Sequence, residues 1–166
     1  MNIKDIYDKD YFIRHKPRDA YKPSIATSVS VVMEYKPKRV LDVGCGHGFV
    51  VKKLLDCGVD VIGLDFSEYA GELIPDDRFI VAEAKELPFP DNSFDVVCSK
   101  GVLEHIPENE LDQVISEMFR VGRNVVAEVC HKTKYEDGHI TIHPKEWWRT
   151  KYPKIRFIVR HKGKLI

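Results

Sequence analysis

Short runs of β-branched, apolar residues alternate with stretches whose apolar positions recur every three or four residues. This is the pattern of strands alternating with amphipathic helices. Residues 38–43 (KRVLDV), 59–65 (VDVIGLD), 78–84 (RFIVAEA), 94–99 (FDVVCS) and 124–130 (NVVAEVC) predict five strands, and 155–161 (IRFIVRH) a sixth. Their Val, Ile and Cys content, with few charges, suits a sheet covered on both faces. A helix is expected over 50–58, stopped by Gly58 as a left-handed C-terminal residue. Another is expected over 107–121, where Leu111, Val114, Ile115, Met118 and Phe119 fall at helical spacing behind Pro107. Residues 23–35 predict a helix with Pro23 in its first turn, and 144–152 (PKEWWRTKY) a short one. The alternation predicts an α/β fold, Rossmann-like, with a mostly parallel sheet and helices on both faces. Residues 1–22, rich in Tyr, Lys and Asp, are expected to form a cover or lid. No repeat, low-complexity tract or linker divides the chain, so 1–166 is read as a single domain.

Composition narrows the picture. The chain has 166 residues, enough to bury a core without disulfides or metals. With 26 Lys+Arg against 26 Asp+Glu, no global basic field points to nucleic acid or a membrane surface. The N-terminus starts charged and no apolar run is long enough to span a bilayer, so a cytoplasmic location is expected. Cys45, Cys57, Cys98 and Cys130 form no CxxC pair and read as reduced thiols.

The most informative stretch is Val40-Leu-Asp42-Val-Gly44-Cys45-Gly46-His-Gly48, an apolar strand running into a GxGxG turn before a helix. Such a turn lets the backbone bend tightly and lets a ligand lie against it without a Cβ in the way. Open α/β sheets bind ligands beyond the carboxyl ends of their strands, where this turn falls. The second strand ends in Asp65, placed to accept hydrogen bonds from both hydroxyls of a ribose.

This combination resembles the class I S-adenosylmethionine-dependent methyltransferases, specifically the type 11 group that includes quinone-biosynthesis C-methyltransferases. Three further segments are similar to that family: Glu83-Ala84-Lys-Glu-Leu87-Pro88-Phe89-Pro90 after the third strand, Ser93-Phe94-Asp95-Val96-Val97 at the fourth, and Val102-Leu103-Glu104-His105-Ile106 beyond it. The resemblance covers residues 38–130 in family order. It implies an S-adenosylmethionine cofactor, released as S-adenosylhomocysteine. Gly44, Cys45, Gly46 and Gly48 would line its methionine and ribose part, with Asp42 behind them near the amino group. Asp65 would bind the ribose hydroxyls, Phe66 would pack on the adenine, and Glu83 and Ala84 would face the ring. Ser99 and Lys100 would border the methionine and acceptor side. The sequence departs from the family at Glu83, usually Asp; at Val121-Gly122-Arg123-Asn124, in place of a Pro-Gly-Gly turn; and in a shortened C-terminal end, since only six residues follow Arg160 where such folds commonly carry an antiparallel strand pair.

Methyl transfer from a sulfonium needs alignment more than a base. For a hydroxyl or amine acceptor, His105, Glu128, His131 and His139 are candidate proton acceptors, with His105 the catalytic candidate and a loop-orienting role its structural alternative. His139 and His143 alternate along HITIH, expected on one strand face and lining an acceptor pocket. No Asp, Glu or Cys stands at matching spacing, so no metal site is expected. Trp147-Trp148 reads as one core and one half-exposed aromatic, and Tyr7, Tyr11, Phe12 and Tyr21 as a lid over the cofactor. No Asn/Asp-Pro-Pro-Tyr/Phe follows the fourth strand, where Ser99-Lys100-Gly101-Val102 stands, which argues against an exocyclic-amine DNA methylase. A small-molecule, glycan or lipid-like acceptor is expected, with no nucleic-acid partner. A nicotinamide-dependent oxidoreductase is the competing enzyme class, but Phe49 breaks the G-x-G-x-x-G pattern and no Tyr-x-x-x-Lys pair is present. A non-catalytic partner subunit that keeps the fold is the third class.

Overall fold

The structure is a computed structural model that describes residues 6–14, 22–130, 138–158, 160–161 and 164–165. Six strands, β1 (Arg39–Val43), β2 (Asp60–Asp65), β3 (Phe79–Val81), β4 (Phe94–Lys100), β5 (Gly122–Glu128) and β6 (Arg156–Ile158), form one parallel sheet in the order β3-β2-β1-β4-β5-β6. The chain runs outward from β1 to β3, then crosses back to lay β4 on the other side of β1. The carboxyl ends of β1 and β4 therefore flank the switch point, where ligands bind in such sheets.

Helices cover both faces. On one, α4 (Glu108–Val121) presents Leu111, Val114, Ile115, Met118 and Val121 to Leu41, Val97 and Val125 of the sheet. Burying each of those side chains stabilises the fold by about 2 kcal/mol. On the other face, α2 (Lys22–Met33) and α3 (Phe49–Asp56) bring Val32, Val51 and Leu54 against Val40, Val61, Val96 and Val126. Alternation along the strands sends Leu41 and Val43 to the first layer, Val40 to the second.

The structure sharpens several expectations. Helix α4 runs into β5 without a loop, because Gly122 pairs opposite Phe94 at the start of β5. A Cβ on Gly122 would stand 2.3 Å from the Val97 side chain, so only glycine lets the chain turn flush against β4. Strand β3 is shorter than expected: pairing with β2 ends at Val81, and Glu83 and Ala84 lie beyond the sheet. The HITIH segment is not a strand. The N–H groups of Ile140 and Thr141 both donate to the Glu104 carbonyl and Thr141 Oγ1 donates to Ile106, strapping the segment across the turn after β4. The expected sixth strand pairs in parallel with β5 and stops at Ile158, while β7 (Arg160–His161) and β8 (Lys164–Leu165) form a separate antiparallel pair. Within the expected cover, residues 9–14 form helix α1 (Lys9–Arg14), its first turn held by Asp8 Oδ1 accepting the Tyr11 N–H at 2.7 Å. Helix α5 (Lys145–Lys151) buries Trp148 completely and leaves Trp147 at the margin of the core. Among the described residues, no helix is long and apolar enough to cross a membrane.

Candidate active site

A cavity of about 730 Å³ opens over the carboxyl ends of β1, β2 and β4. Its floor is the turn after β1: Gly44, Cys45, Gly46 and His47 all reach the wall. The turn is fastened from the next strand, because the N–H groups of Gly44 and Cys45 both donate to the Leu64 carbonyl, at 2.7 and 3.0 Å. At Gly46, φ is +53° and a Cβ would meet nothing within 4 Å, so the missing side chain leaves open space at the cavity wall.

Asp65 ends β2 on the same wall, 7% exposed. Its Oδ2 accepts the Gly46 N–H and its Oδ1 the Ser67 N–H, each at 3.0 Å. Each oxygen keeps lone-pair capacity for a further donor. Burial raises the Asp65 carboxyl above its ordinary value, and the backbone N–H donors pull it back. Phe66 follows on the wall, with the Tyr7 ring edge-on at 5.6 Å. Glu83, Ala84 and Lys85 form the opposite rim, where Lys85 Nζ lies 3.3 Å from the Glu83 carboxylate.

Three expected residues stand behind the wall rather than on it. Asp42 is 2% exposed on the α2–α3 side of the sheet, where Cys98 Sγ donates to its Oδ1 at 3.4 Å. Burial pushes its carboxyl up to about 7. Gly48 opens α3, and a Cβ there would press into Ile74 at 2.2 Å, so its task is packing. Ser99 is buried with Oγ unpartnered. Its neighbour Lys100 reaches the wall and pairs with Glu128 at 3.4 Å.

The far end of the cavity is built by the turn after β4 and by the N-terminal segment. Ile6, Tyr7, Tyr11 and Phe12 line it from one side; of the residues expected to form a lid, Tyr21 lies outside the described residues. Ile106, Val114 and Ile140 make the opposite side apolar. Between them sits His105, with Nδ1 2.7 Å from the Tyr7 hydroxyl. Burial, reinforced by His139, pulls the His105 imidazole down to about 4, so it is neutral at physiological pH. Burial pushes the Tyr7 phenol well above its ordinary value, and it keeps its proton.

Of the other candidate proton acceptors, Glu128 is engaged by Lys100 and by Ser28 Oγ at 2.9 Å, and His131 lies outside the described residues. His139 and His143 diverge instead of sharing a face. His143 pairs with Glu108 at 2.9 Å and stacks on Trp147, whereas His139 turns inward, 8% exposed, with its ring centroid 4.5 Å from that of His105. Sequence spacing gave no acid for these histidines, but the fold supplies one. Glu104 is 2% exposed, and one ligand-capable atom from each of Glu104, His105 and His139 lies within 4.8 Å of the others. Glu104 Oε1 accepts the Cys130 N–H at 2.9 Å, while Glu104 Oε2 and His139 Nδ1 have no partner. Each such buried orphan costs about 1–3 kcal/mol. Burial pushes the Glu104 carboxyl up to about 7.

A family model described as a methyltransferase domain matches residues 41–125, just over half of the chain. Demethylmenaquinone methyltransferase from Renibacterium salmoninarum is 41% identical over 104 residues, 58% of this chain and 43% of that protein. A probable tocopherol O-methyltransferase, chloroplastic, from Oryza sativa subsp. japonica is 34% identical over 128 residues, 68% of this chain and 34% of that protein. The chain thus spans less than half the length of these curated relatives. Among solved structures, the PH0226 protein from Pyrococcus horikoshii OT3 superposes with a TM-score of 0.55 at 35% identity, covering 63% of this chain and 50% of that one.

Proposed function

Because the chain belongs to the class I S-adenosylmethionine-dependent methyltransferases of the type 11 group, we propose that the cavity binds S-adenosylmethionine and that the protein transfers its methyl group to a small, largely apolar molecule bearing a hydroxyl. The observation that carries this reading is the fastening of Asp65 to Gly46. The strand-end carboxylate and the open glycine turn are locked together on one wall by the 3.0 Å bond from the Gly46 N–H. A ribose lying on that turn meets bare main chain at Gly46 and the free lone pairs of Asp65 together, so the residues fit the group the family implies. Phe66 supplies an aromatic face beside Asp65, and Ala84 a backbone amide on the opposite rim.

When bound, S-adenosylmethionine supplies a methyl group already activated on a sulfonium, the hard chemistry of the reaction. The chain's own residues then hold, orient and dry the reactants. Closing Tyr7, Tyr11 and Phe12 over the cavity excludes water, and the apolar walls at Ile106, Val114 and Ile140 select an acceptor with a greasy body. His105, kept neutral and fixed by Tyr7, accepts a hydrogen bond from the acceptor hydroxyl and aims its oxygen at the methyl. Support for a small-molecule acceptor comes from the names of the two curated relatives, which specify demethylmenaquinone and tocopherol.

Isothermal titration of the chain with S-adenosylhomocysteine and, separately, with NAD tests the cofactor. Binding of the thioether with none of the dinucleotide is expected, and binding of NAD alone refutes the proposal. Incubation with methyl-labelled cofactor and a panel of quinols and phenols tests the acceptor class. Label in that panel is expected, whereas label appearing only in added protein or nucleic acid refutes the small-molecule reading.

A further inference from the structure

The geometry points to a site for a first-row transition-metal dication at the acceptor end of the cavity, held by Glu104, His105 and His139. Two histidines and one carboxylate are the protein donor set of open catalytic zinc sites and of non-haem iron sites. Glu104 and His105 come from the short helix Leu103–His105, and His139 comes from the segment strapped back onto it by the Ile140 and Thr141 N–H bonds to the Glu104 carbonyl.

Two features distinguish this cluster from packed polar residues. First, it holds two orphaned atoms that can act as donors to a metal: Glu104 Oε2 and His139 Nδ1 are buried and unpartnered, though Glu104 and His139 are only 2% and 8% exposed. Both side chains belong to the cluster whose ligand-capable atoms lie within 4.8 Å of one another. Second, the supporting contacts that usually fix metal ligands are in place: Cys130 N–H holds Glu104 Oε1, and the Tyr7 hydroxyl holds Nδ1 of the His105 ring. Ligand atoms about 2.1 Å from a tetrahedral metal stand about 3.4 Å apart. The cluster, already within 4.8 Å, needs at most about 1.5 Å of closing, within the reach of small side-chain rotations.

His105 lies on the cavity wall while Glu104 and His139 lie behind it, so a metal held by the three would sit at the edge of the cavity. With metal bound, the remaining His105 nitrogen is a ligand and no longer accepts the hydroxyl's hydrogen bond; the cation would instead take the oxygen of the acceptor hydroxyl and hold it as the more nucleophilic oxyanion, the proton passing to solvent. This catalytic part rests on the methyltransferase reading; the binding of metal does not.

The test uses the full chain, freed of metal by chelator and dialysed against zinc chloride or cobalt chloride, with metal content and protein measured together. One equivalent per chain is expected, and the cobalt form should show visible d–d absorption of a nitrogen and oxygen site. Glu104→Gln, His105→Ala and His139→Ala should each weaken zinc binding at least about tenfold. His143→Gln, which alters a half-buried histidine outside the cluster, should leave it unchanged. Thermal melting and S-adenosylhomocysteine titration of each variant report whether it folds. If the unaltered chain takes up no stoichiometric metal, or if binding survives the three substitutions, the site does not exist. Thioether binding without metal overturns this site alone. Stoichiometric metal sensitive to the three substitutions, without thioether binding, upholds the site and overturns the methyltransferase reading.

Discussion

Replacing Asp65 by alanine is the sharpest probe of the proposed cofactor cavity. Asp65 does two jobs: it accepts the backbone N–H groups of Gly46 and Ser67, each at 3.0 Å, and it presents its remaining lone pairs to the cavity. In Asp65→Ala the bound ribose loses its charged acceptor, and a hydrogen bond to a charged group contributes about 1.5–3 kcal/mol. The loss of one such bond corresponds to a tenfold or greater rise in Kd, and the loss of two to about a hundredfold or more. The same substitution strips acceptors from two N–H groups, at a stability cost of about 1–3 kcal/mol for each that stays dry. Thermal unfolding therefore accompanies the titration, to establish that the variant is folded at the assay temperature. Asp65→Asn makes the comparison stricter. Its amide keeps one oxygen and must turn an NH2 group toward either Gly46 or Ser67, donor against donor, so it should also bind the thioether at least tenfold more weakly. Burial raises the Asp65 carboxyl and hydroxyl donors favour its anion, so affinity should fall on acidification. Isothermal titration of S-adenosylhomocysteine across pH 5 to 8 reads all three effects. Unchanged affinity in a folded Asp65→Ala would refute the assignment of the cavity.

The glycines of the turn separate binding from folding. Gly46→Leu meets no protein atom near its Cβ and should remain folded, with about 1 kcal/mol of left-handed strain, yet abolish thioether binding by filling the cavity. Gly48→Ala drives a methyl into Ile74 and should instead lower Tm by several degrees, as overpacking costs about 1–3 kcal/mol. Asp42 gives the pH dependence: its folded value of about 7 lies above the ordinary 3.8, so the stability it contributes is fully present below about 4 and is lost as pH rises toward 7. Asp42→Asn, which no longer titrates, should therefore gain on the unaltered chain by a few kcal/mol between pH 4 and 8 in urea unfolding; parallel curves would contradict the burial argument. Tyr7→Phe removes the hydroxyl beside His105 and should cut kcat/KM for the acceptor about two- to tenfold while leaving thioether affinity unchanged. An equal loss in both would mean that Tyr7 holds the cofactor and not the acceptor end.

Much of the glycine-turn end of the cavity was legible in one dimension. Strand identities follow from short apolar runs, and Asp65 and the glycine turn stand at strand ends where open α/β sheets place their ligand contacts. The helix over 107–121 was equally readable, since local spacing alone determines which side of it is greasy. Those features are set by neighbours a few residues apart. The sequence could not say that Asp42, Gly48 and Ser99 lie behind the wall: strand pleating sends Asp42 toward α2 and α3, and the Ile74 side chain occupies the space beside Gly48. The end of the cavity around His105 belongs wholly to the tertiary structure. Spacing along the chain left His139 without an acidic companion, and only the strapping of residues 139–141 across the turn after β4 sets it beside Glu104 and His105. Contacts between segments distant in sequence depend on how crossovers and loops close in space, and no local periodicity encodes that closure.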